Sequence, residues 1–298
     1  MHSAAVMAIK QMNNLQSVSC NLCGKLENRL ITMQNDYRVV KCVNCGLVYT
    51  NPRPDRETLK KMYEGYHQRG GSDENAWADL MAMNFKSVSL LLRSMFPGCG
   101  NVLDIGCGYG HFIEIMKNSG WTELGIDPSS RTIDHARKKG LNVIETTFDE
   151  TSFPDCSFNV VTMFYVLEHL LNPVSSLKQA FRILKPRGVI VIRVPHTTPI
   201  VSFLSFFNIK NNLYDPPFHL YDFSPDTVKQ LLSISGFWLS KIMPGEPTLP
   251  PSFLRRALSV SFTYIAKLMY HISAGIFLLP GVSKTIVAVK PGGSSFRT

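Results

Sequence analysis

Cys20, Cys23, Cys42 and Cys45 stand in the pattern C-x2-C-x18-C-x2-C, and Gly24 and Gly46 follow the two pairs directly. Two residues between thiolates let one tight turn aim both sulfurs at a single ion, and a glycine just past the turn removes a Cβ where the chain doubles back. Four thiolates close a tetrahedron and leave no position for water, so the pattern predicts a structural zinc rather than a catalytic one. The alternative is four unrelated buried cysteines. In so short a segment with little core of its own, ligation would supply on the order of 10 kcal/mol of folding energy.

The second chemical stretch is VLDIGCGYGHF, residues 102–112, where Gly106, Gly108 and Gly110 follow a strand-like run and precede a helical pattern. A dinucleotide fingerprint reads G-x-G-x-x-G, with pyrophosphate at the helix N-terminus. Here the third glycine comes one residue early, and Asp104 stands where it repels a pyrophosphate and attracts an ammonium group. Asp127, 21 residues past Gly106, closes the next strand, where a carboxylate can take both hydroxyls of a ribose. A ligand with a ribose, a cationic centre and an α-amino group but no phosphate satisfies both departures. S-adenosylmethionine is that ligand.

Such residues need elements to hold them. Apolar periodicity predicts strands over 101–105, 122–126, 142–145, 158–163 and 188–194, alternating with helices over 110–119, 130–139, 173–184 and 224–235. A sixth strand over 237–243 and an antiparallel seventh over 285–290 complete a doubly wound, mostly parallel α/β sheet of Rossmann-like type, with ligands at the carboxyl ends of its strands. Upstream, NRLITMQNDYRVVK alternates like a hairpin between the cysteine pairs, Asp55 caps a short helix to Tyr66, HQRGGSDEN is a glycine-rich hinge, and 75–96 form a long amphipathic helix. The organisation is an N-terminal tail (1–19), a zinc ribbon with a linker helix (20–72), and the α/β domain (73–298).

Residues 100–195 resemble class I S-adenosylmethionine-dependent methyltransferases, in the branch with an N-terminal zinc ribbon. VLDIGCGYG resembles their first motif, GIDPS the second, FPDCSFNVVTMFYVLEHL the fourth strand and its loop, and LKQAFRILKPRGVIVIRVP the helix and fifth strand. The resemblance implies that Asp104 reaches the methionine amino group, that Gly106, Gly108 and Gly110 let backbone close on the donor, and that Asp127 holds the ribose. It sets Thr147 and Phe148 beside the adenine, plain core being the alternative for Phe148. Arg187 stands where glycine is usual and Asn159 where aspartate is common, departures that bear on turn geometry only. Methyl transfer is an in-line displacement, so it needs an acceptor held at about 3 Å and a base only where the acceptor keeps a proton.

His169, after the fourth strand, and His219 and Tyr221, after the fifth, are the candidate catalytic residues; His169 can equally cap the helix that follows. In some quinol and catechol-type relatives a Glu-x-x-Glu-His run binds magnesium, and Tyr165 in its first place argues against that ion here. Asp215-Pro216-Pro217-Phe218 looks like a motif of enzymes that methylate base amines, but it falls after the wrong strand.

The 298 residues carry a formal charge of +9 with no basic block, which suits nucleic acid, an anionic lipid surface or a nucleotide-linked substrate. The relatives resembled act in sugar and surface-polysaccharide biosynthesis, which implies a small or carbohydrate-type acceptor, free or nucleotide- or lipid-linked. One rival is an RNA or DNA methyltransferase gripping nucleic acid with the ribbon, whose Lys25, Arg29, Arg38 and Lys41 are interleaved with Glu27 and Asp36 and whose lone aromatic is Tyr37, a poor stacking platform. The other is a non-catalytic donor-binding regulator. Within 252–280, Leu258, Phe262, Ile265, Met269, Ile272 and Ile276 recur at helical spacing while a central Lys267 opposes membrane spanning. A cap over the site, a dimer face, and a helix on a membrane surface with Arg255 and Arg256 toward headgroups are the alternatives. Residues 1–19 lack an apolar secretory core and the cysteines read as metal ligands, so the expected location is cytoplasmic, with peripheral contact at the inner membrane surface if the last alternative holds. Oligomeric state is open at this level.

Overall fold

The computed structural model describes residues 15–68, 74–247, 249, 252–273, 275, 278 and 283–292. Strands β1 (Leu15–Gln16), β2 (Asn28–Gln34), β3 (Tyr37–Cys42), β4 (Val48–Thr50) and β5 (Arg53–Pro54) come first. The β2–β3 hairpin turns through Asn35 and Asp36, both in the left-handed region at φ 49° and 66°, which matches the strand twist as two-residue hairpin turns require. Asp55 accepts the Thr58 amide at 2.8 Å and starts helix α1 (Arg56–Gln68), as its capping role predicts. Helix α2 (Glu74–Met95) follows. Residues 1–14 of the expected tail and 69–73 of the expected hinge lie outside the described residues.

The alternating pattern builds β6 (Asn101–Ile105), α3 (His111–Asn118), β7 (Thr122–Asp127), α4 (Ser130–Lys138), β8 (Val143–Glu145), β9 (Phe158–Phe164), α5 (Pro173–Ile183) and β10 (Leu184–Val194). Helix α6 (Thr198–Phe206), β11 (Tyr221–Asp222), α7 (Pro225–Ile234), β12 (Trp238–Pro244), α8 (Phe253–Ile272) and β13 (Lys284–Val289) complete the chain. Seven strands form one sheet in the order β12-β13-β10-β9-β6-β7-β8, with β13 antiparallel to both neighbours and the ladders from β10 to β8 parallel. The expected doubly wound α/β sheet is therefore present. Its order reverses around β6, so a crevice opens past the carboxyl ends of β6 and β9. Central strands are apolar on both faces: Ile190 and Ile192 of β10 pack into one core cluster, Val189 and Val191 into the other.

Three points differ from or go beyond expectation. Strand β10 begins at Leu184, four residues before the expected 188, through a register shift between Leu184 and Val189 in which Arg187 takes φ 64° in the place where glycine is usual. Helix α8 ends at Ile272, and Ile276 at the end of the predicted segment lies outside the described residues. The cysteine-bearing segment also shares its core. Cys20, Val40 and Leu47 are buried in one cluster with Leu59, Ile192 and Phe223, and β11 pairs antiparallel with β4 to give a sheet β11-β4-β3-β2. Residues separated by about 170 positions thus complete the ribbon's own sheet.

Candidate functional site

The four ribbon cysteines converge. Cys20 Sγ lies 3.4 Å from Cys45 Sγ and Cys23 Sγ 3.5 Å from Cys42 Sγ, with all four sulfurs within 4.8 Å of one another. Gly24 and Gly46 donate to the Cys20 and Cys42 carbonyls from φ 74° and 79°, closing two equivalent knuckles. Sulfurs around an ion at about 2.3 Å stand just under 4 Å apart, so the donor set fits tetrahedral zinc.

At the crevice, β6 runs into the glycine turn, and Gly106, Gly108 and Gly110 all have positive φ, at 73°, 52° and 79°. A Cβ on Gly106 would meet Val166 Cγ2 at 2.4 Å and one on Gly110 would meet Leu141 Cδ1 at 2.5 Å, so both are pressed against neighbours. Beside Gly108 nothing lies within 4 Å, so its backbone faces open space. Asp127 governs the turn. Its Oδ2 accepts the Gly108 amide at 3.1 Å, while Oδ1 accepts the Ser129 amide at 2.9 Å and the Thr132 hydroxyl at 3.1 Å. Those three donors leave one further acceptor position, on Oδ2, for a ribose hydroxyl. Asp104 lies deeper, 2% exposed, with Oδ1 accepting the Thr162 hydroxyl at 2.6 Å. Burial pushes its carboxyl up to about 7, against the Thr162 hydrogen bond. It sits beneath the turn rather than in an open groove.

Thr147 precedes a 3-10 turn, Phe148–Glu150, and its amide donates to the Glu150 carboxylate at 3.3 Å. Phe148 is buried in the main core and its carbonyl accepts from Gln179, so its ring serves packing, the alternative left open above.

Of the three candidate catalytic residues, two come together. His169 and His219 stack edge to face at 4.8 Å, and Glu168, His169 and His219 have donor atoms within 4.8 Å of one another, a set with the reach to share a divalent ion. His169 Nδ1 lies 2.9 Å from the Phe218 carbonyl and 3.0 Å from the Tyr63 hydroxyl, which leaves Nε2 as the acceptor of the neutral ring. Burial pulls His219 down to about 4. Tyr221 does not join them: its hydroxyl donates to the Leu171 carbonyl at 3.1 Å and accepts from Arg53 at 2.8 Å, with the ring stacked on Phe223. A tyrosine so engaged on both sides pins β11 to the chain entering α1, and its candidacy for proton transfer lapses.

A group outside those candidates lines the crevice's other wall. Tyr165, just past β9, holds φ 57°, a strained state for an aromatic residue. Its neighbour Val166 abuts Gly106, and its hydroxyl accepts from Arg193 Nε at 3.0 Å. Beyond it lies a cavity of about 670 Å³, bounded by Tyr165, Arg193 and His196 at the strand ends and by Leu258, Phe262 and Ile265 of α8. Arg193 is fully sequestered, also donating to Thr285 at 3.3 Å and to the Glu246 carbonyl at 3.0 Å. The Glu246 carboxylate is in turn held by Lys267 at 2.6 Å. With its charges paired, the wall is largely apolar.

His196 is the exception. It is 8% exposed, and its buried Nδ1 has no hydrogen-bond partner among the described residues. Burial pushes its imidazole down to about 4, the Lys284 ammonium acts in the same direction, and Asp222 opposes both. It is therefore a neutral base at the carboxyl end of β10. Behind it, burial pushes Glu168 up to about 8 and Lys284 down to about 8, each moderated by the other. Asp222 accepts the Thr197 and Thr198 amides at 3.2 and 3.0 Å and so anchors the start of α6. The sequence held two signals for this wall: a charged Arg193 inside an apolar strand, and His196 two residues past its end.

Comparison with known proteins agrees with this geometry. Residues 74–239 match the family described as "Methyltransferase domain". A protein of Mycolicibacterium smegmatis named a probable S-adenosylmethionine-dependent methyltransferase is 26% identical over 172 residues, 56% of this chain and 62% of that one. The ubiquinone biosynthesis O-methyltransferase of Methylococcus capsulatus is 33% identical over 140 residues, 42% of this chain and 59% of that one. The chain thus spans about 60% of the length of these relatives. Among solved structures, a chain of the Haloferax volcanii complex between the Trm112 methyltransferase activator and a methyltransferase superposes with TM-score 0.55 at 16% identity, covering 80% of this chain and 99% of that one. A Pyrococcus horikoshii protein gives 0.52 at 17%, covering 76% and 98%. At such identities the structures speak for the fold.

Proposed function

The chain belongs to the methyltransferase-domain family, and from that premise we propose that it transfers the methyl group of S-adenosylmethionine to a small acceptor, a lipid-linked carbohydrate-type molecule being the form that suits its cavity. The observation that carries this is an apolar cavity of about 670 Å³ separated from the glycine turn only by the Tyr165–Val166 step. A cavity of that volume encloses a small ligand. When bound, the donor supplies a methyl carbon on a cationic sulfur, open to in-line displacement.

The residues divide the remaining work. Gly108 offers bare backbone to the donor, Asp127 fixes the turn and faces the ribose, and Asp104 lies beneath the amino end, where a bound cationic amino group would favour its ionised form. Tyr165, held by Arg193, lines the passage where the acceptor meets the methyl group and helps exclude water there. His196, which lines the cavity and is neutral at physiological pH, is the group placed to take the proton of an acceptor that still carries one. We also propose zinc for the four cysteines, in a structural role: the sulfur geometry and shared core support it, since loosening the ribbon would release β11 and the chain entering α1.

Methyl-labelled donor incubated with the zinc-loaded protein and fractionated extract tests the proposal. Label is expected in extractable lipid-linked material. Label in RNA or DNA, or none in any fraction, would overturn the acceptor class, and failure of the donor to bind in calorimetry would overturn the enzyme reading itself.

A further inference from the structure

Among the described residues, helix α8 is docked by one side only. Thr263 and Ala266 are buried, and Lys267 reaches inward to Glu246. The opposite side exposes Phe253 at 85%, Ile272 at 77%, and Leu254 and Leu268 between them. Helix α6 meets α8 across the cavity through Ile200 and extends the same surface with Phe203, Phe206, Phe207 and then Ile209, Phe206 being 81% exposed. The three phenylalanine rings pack on each other, at 5.1 Å, and stand out from the body. Leu258 and Ile265 line the cavity and are still more than half exposed, so the cavity opens on this face. Soluble monomers rarely leave so extended an apolar surface uncovered.

Charge identifies what covers it. No Asp or Glu occurs between Glu168 and Asp215, or anywhere after Glu246. The two helices and their flanks carry Lys210, Arg255, Arg256 and Lys267, and Lys267 is neutralised within the fold. A second copy docked through this face would set these basic segments against each other, with no Asp or Glu in either stretch to oppose them. Anionic headgroups supply that charge while phenylalanine and leucine enter the acyl boundary. Among the described residues no helix is long and apolar enough to cross a membrane, so the contact is with a surface.

We propose that the outer faces of α6 and α8 dock the protein on an anionic phospholipid bilayer, with the cavity mouth turned toward the lipid. The docking goes beyond the methyl-transfer reading and is measured without it.

The zinc-loaded full chain is sedimented with vesicles of phosphatidylcholine alone and of phosphatidylcholine with phosphatidylglycerol. Strong pelleting with the mixed vesicles is expected, at least tenfold weaker with neutral vesicles. Replacing Phe206→Glu and Phe253→Glu together abolishes it, while donor affinity in calorimetry stays at the wild-type value because neither residue lines the cavity or the glycine turn. Should that pair misfold, the milder Lys210→Glu, with an unchanged melt, gives the same loss of pelleting. Undiminished pelleting of the variants overturns the proposal. So does a wild-type chain that ignores both vesicles and has a dimeric mass in light scattering, which assigns the face to a second copy.

Discussion

Replacing Asp127 by asparagine keeps the shape of the side chain and removes one acceptor. In the native turn Oδ2 takes the Gly108 amide at 3.1 Å while Oδ1 serves Ser129 and Thr132. If the new NH2 faces Gly108, donor meets donor; if the amide flips, the Ser129 amide is the one orphaned. Either way one charge-assisted hydrogen bond is lost and one backbone N–H is left without its partner, at a cost of about 1.5–3 kcal/mol. Part of that cost appears as stability, at roughly 2–4 °C of melting temperature per kcal/mol for a chain of this order of size. The remainder appears as donor affinity if, as proposed, the Gly108 backbone meets the donor. At about 1.4 kcal/mol per tenfold the whole cost would correspond to about 10- to 100-fold in donor binding, which is the upper bound of the loss in affinity once the share seen as stability is taken out. Calorimetry with S-adenosylmethionine, alongside a thermal melt with and without it, measures both. Wild-type affinity together with an unshifted melt in D127N would refute the reasoning that this carboxylate sets the glycine turn.

Elemental analysis should find one zinc per chain, and Cys42→Ser should lower both zinc content and melting temperature; a zinc-free chain with an unchanged melt would remove the structural role. Gly106→Ala is expected to cost more than the roughly 1 kcal/mol of a left-handed glycine alone, because its Cβ would meet Val166 at 2.4 Å and φ is 73°; a melt equal to wild type contradicts that packing. For pH, His196 in the folded chain refuses a proton until about pH 4, whereas an unfolded histidine accepts one near 6.5. Its presence therefore makes stability fall as pH drops from about 6.5 to 4, by up to one proton's slope, and leaves stability untouched above that window. His196→Asn should flatten the acid limb relative to wild type, and denaturant titrations at pH 4.5, 5.5 and 7 would show whether the difference between the two curves is absent.

Local patterns determined much of this protein. Alternating apolar residues placed β2 and β3, near-continuous apolar runs placed β9 and β10, and Asp55 and the glycine turn marked where elements start, because caps, turns and strand burial depend on neighbours in the chain. The cysteine quartet was legible for the same reason: each knuckle is a contact within four residues. What the order of residues could not decide were the meetings between distant segments. Tyr221 pairs with Tyr49 in the ribbon's sheet and shares its hydroxyl with Arg53, so a residue expected to do chemistry is part of the frame.

His196, Tyr165 and Arg193 meet α8 only because β9, β10 and β13 lie side by side and the segment before β13 folds back across their ends. A histidine's pKa and a carboxyl's depth depend on burial by residues far away in the chain, and no spacing encodes burial. The sequence determined the donor turn through local backbone demands; the acceptor wall was decided by tertiary packing, where desolvation sets which base stays neutral.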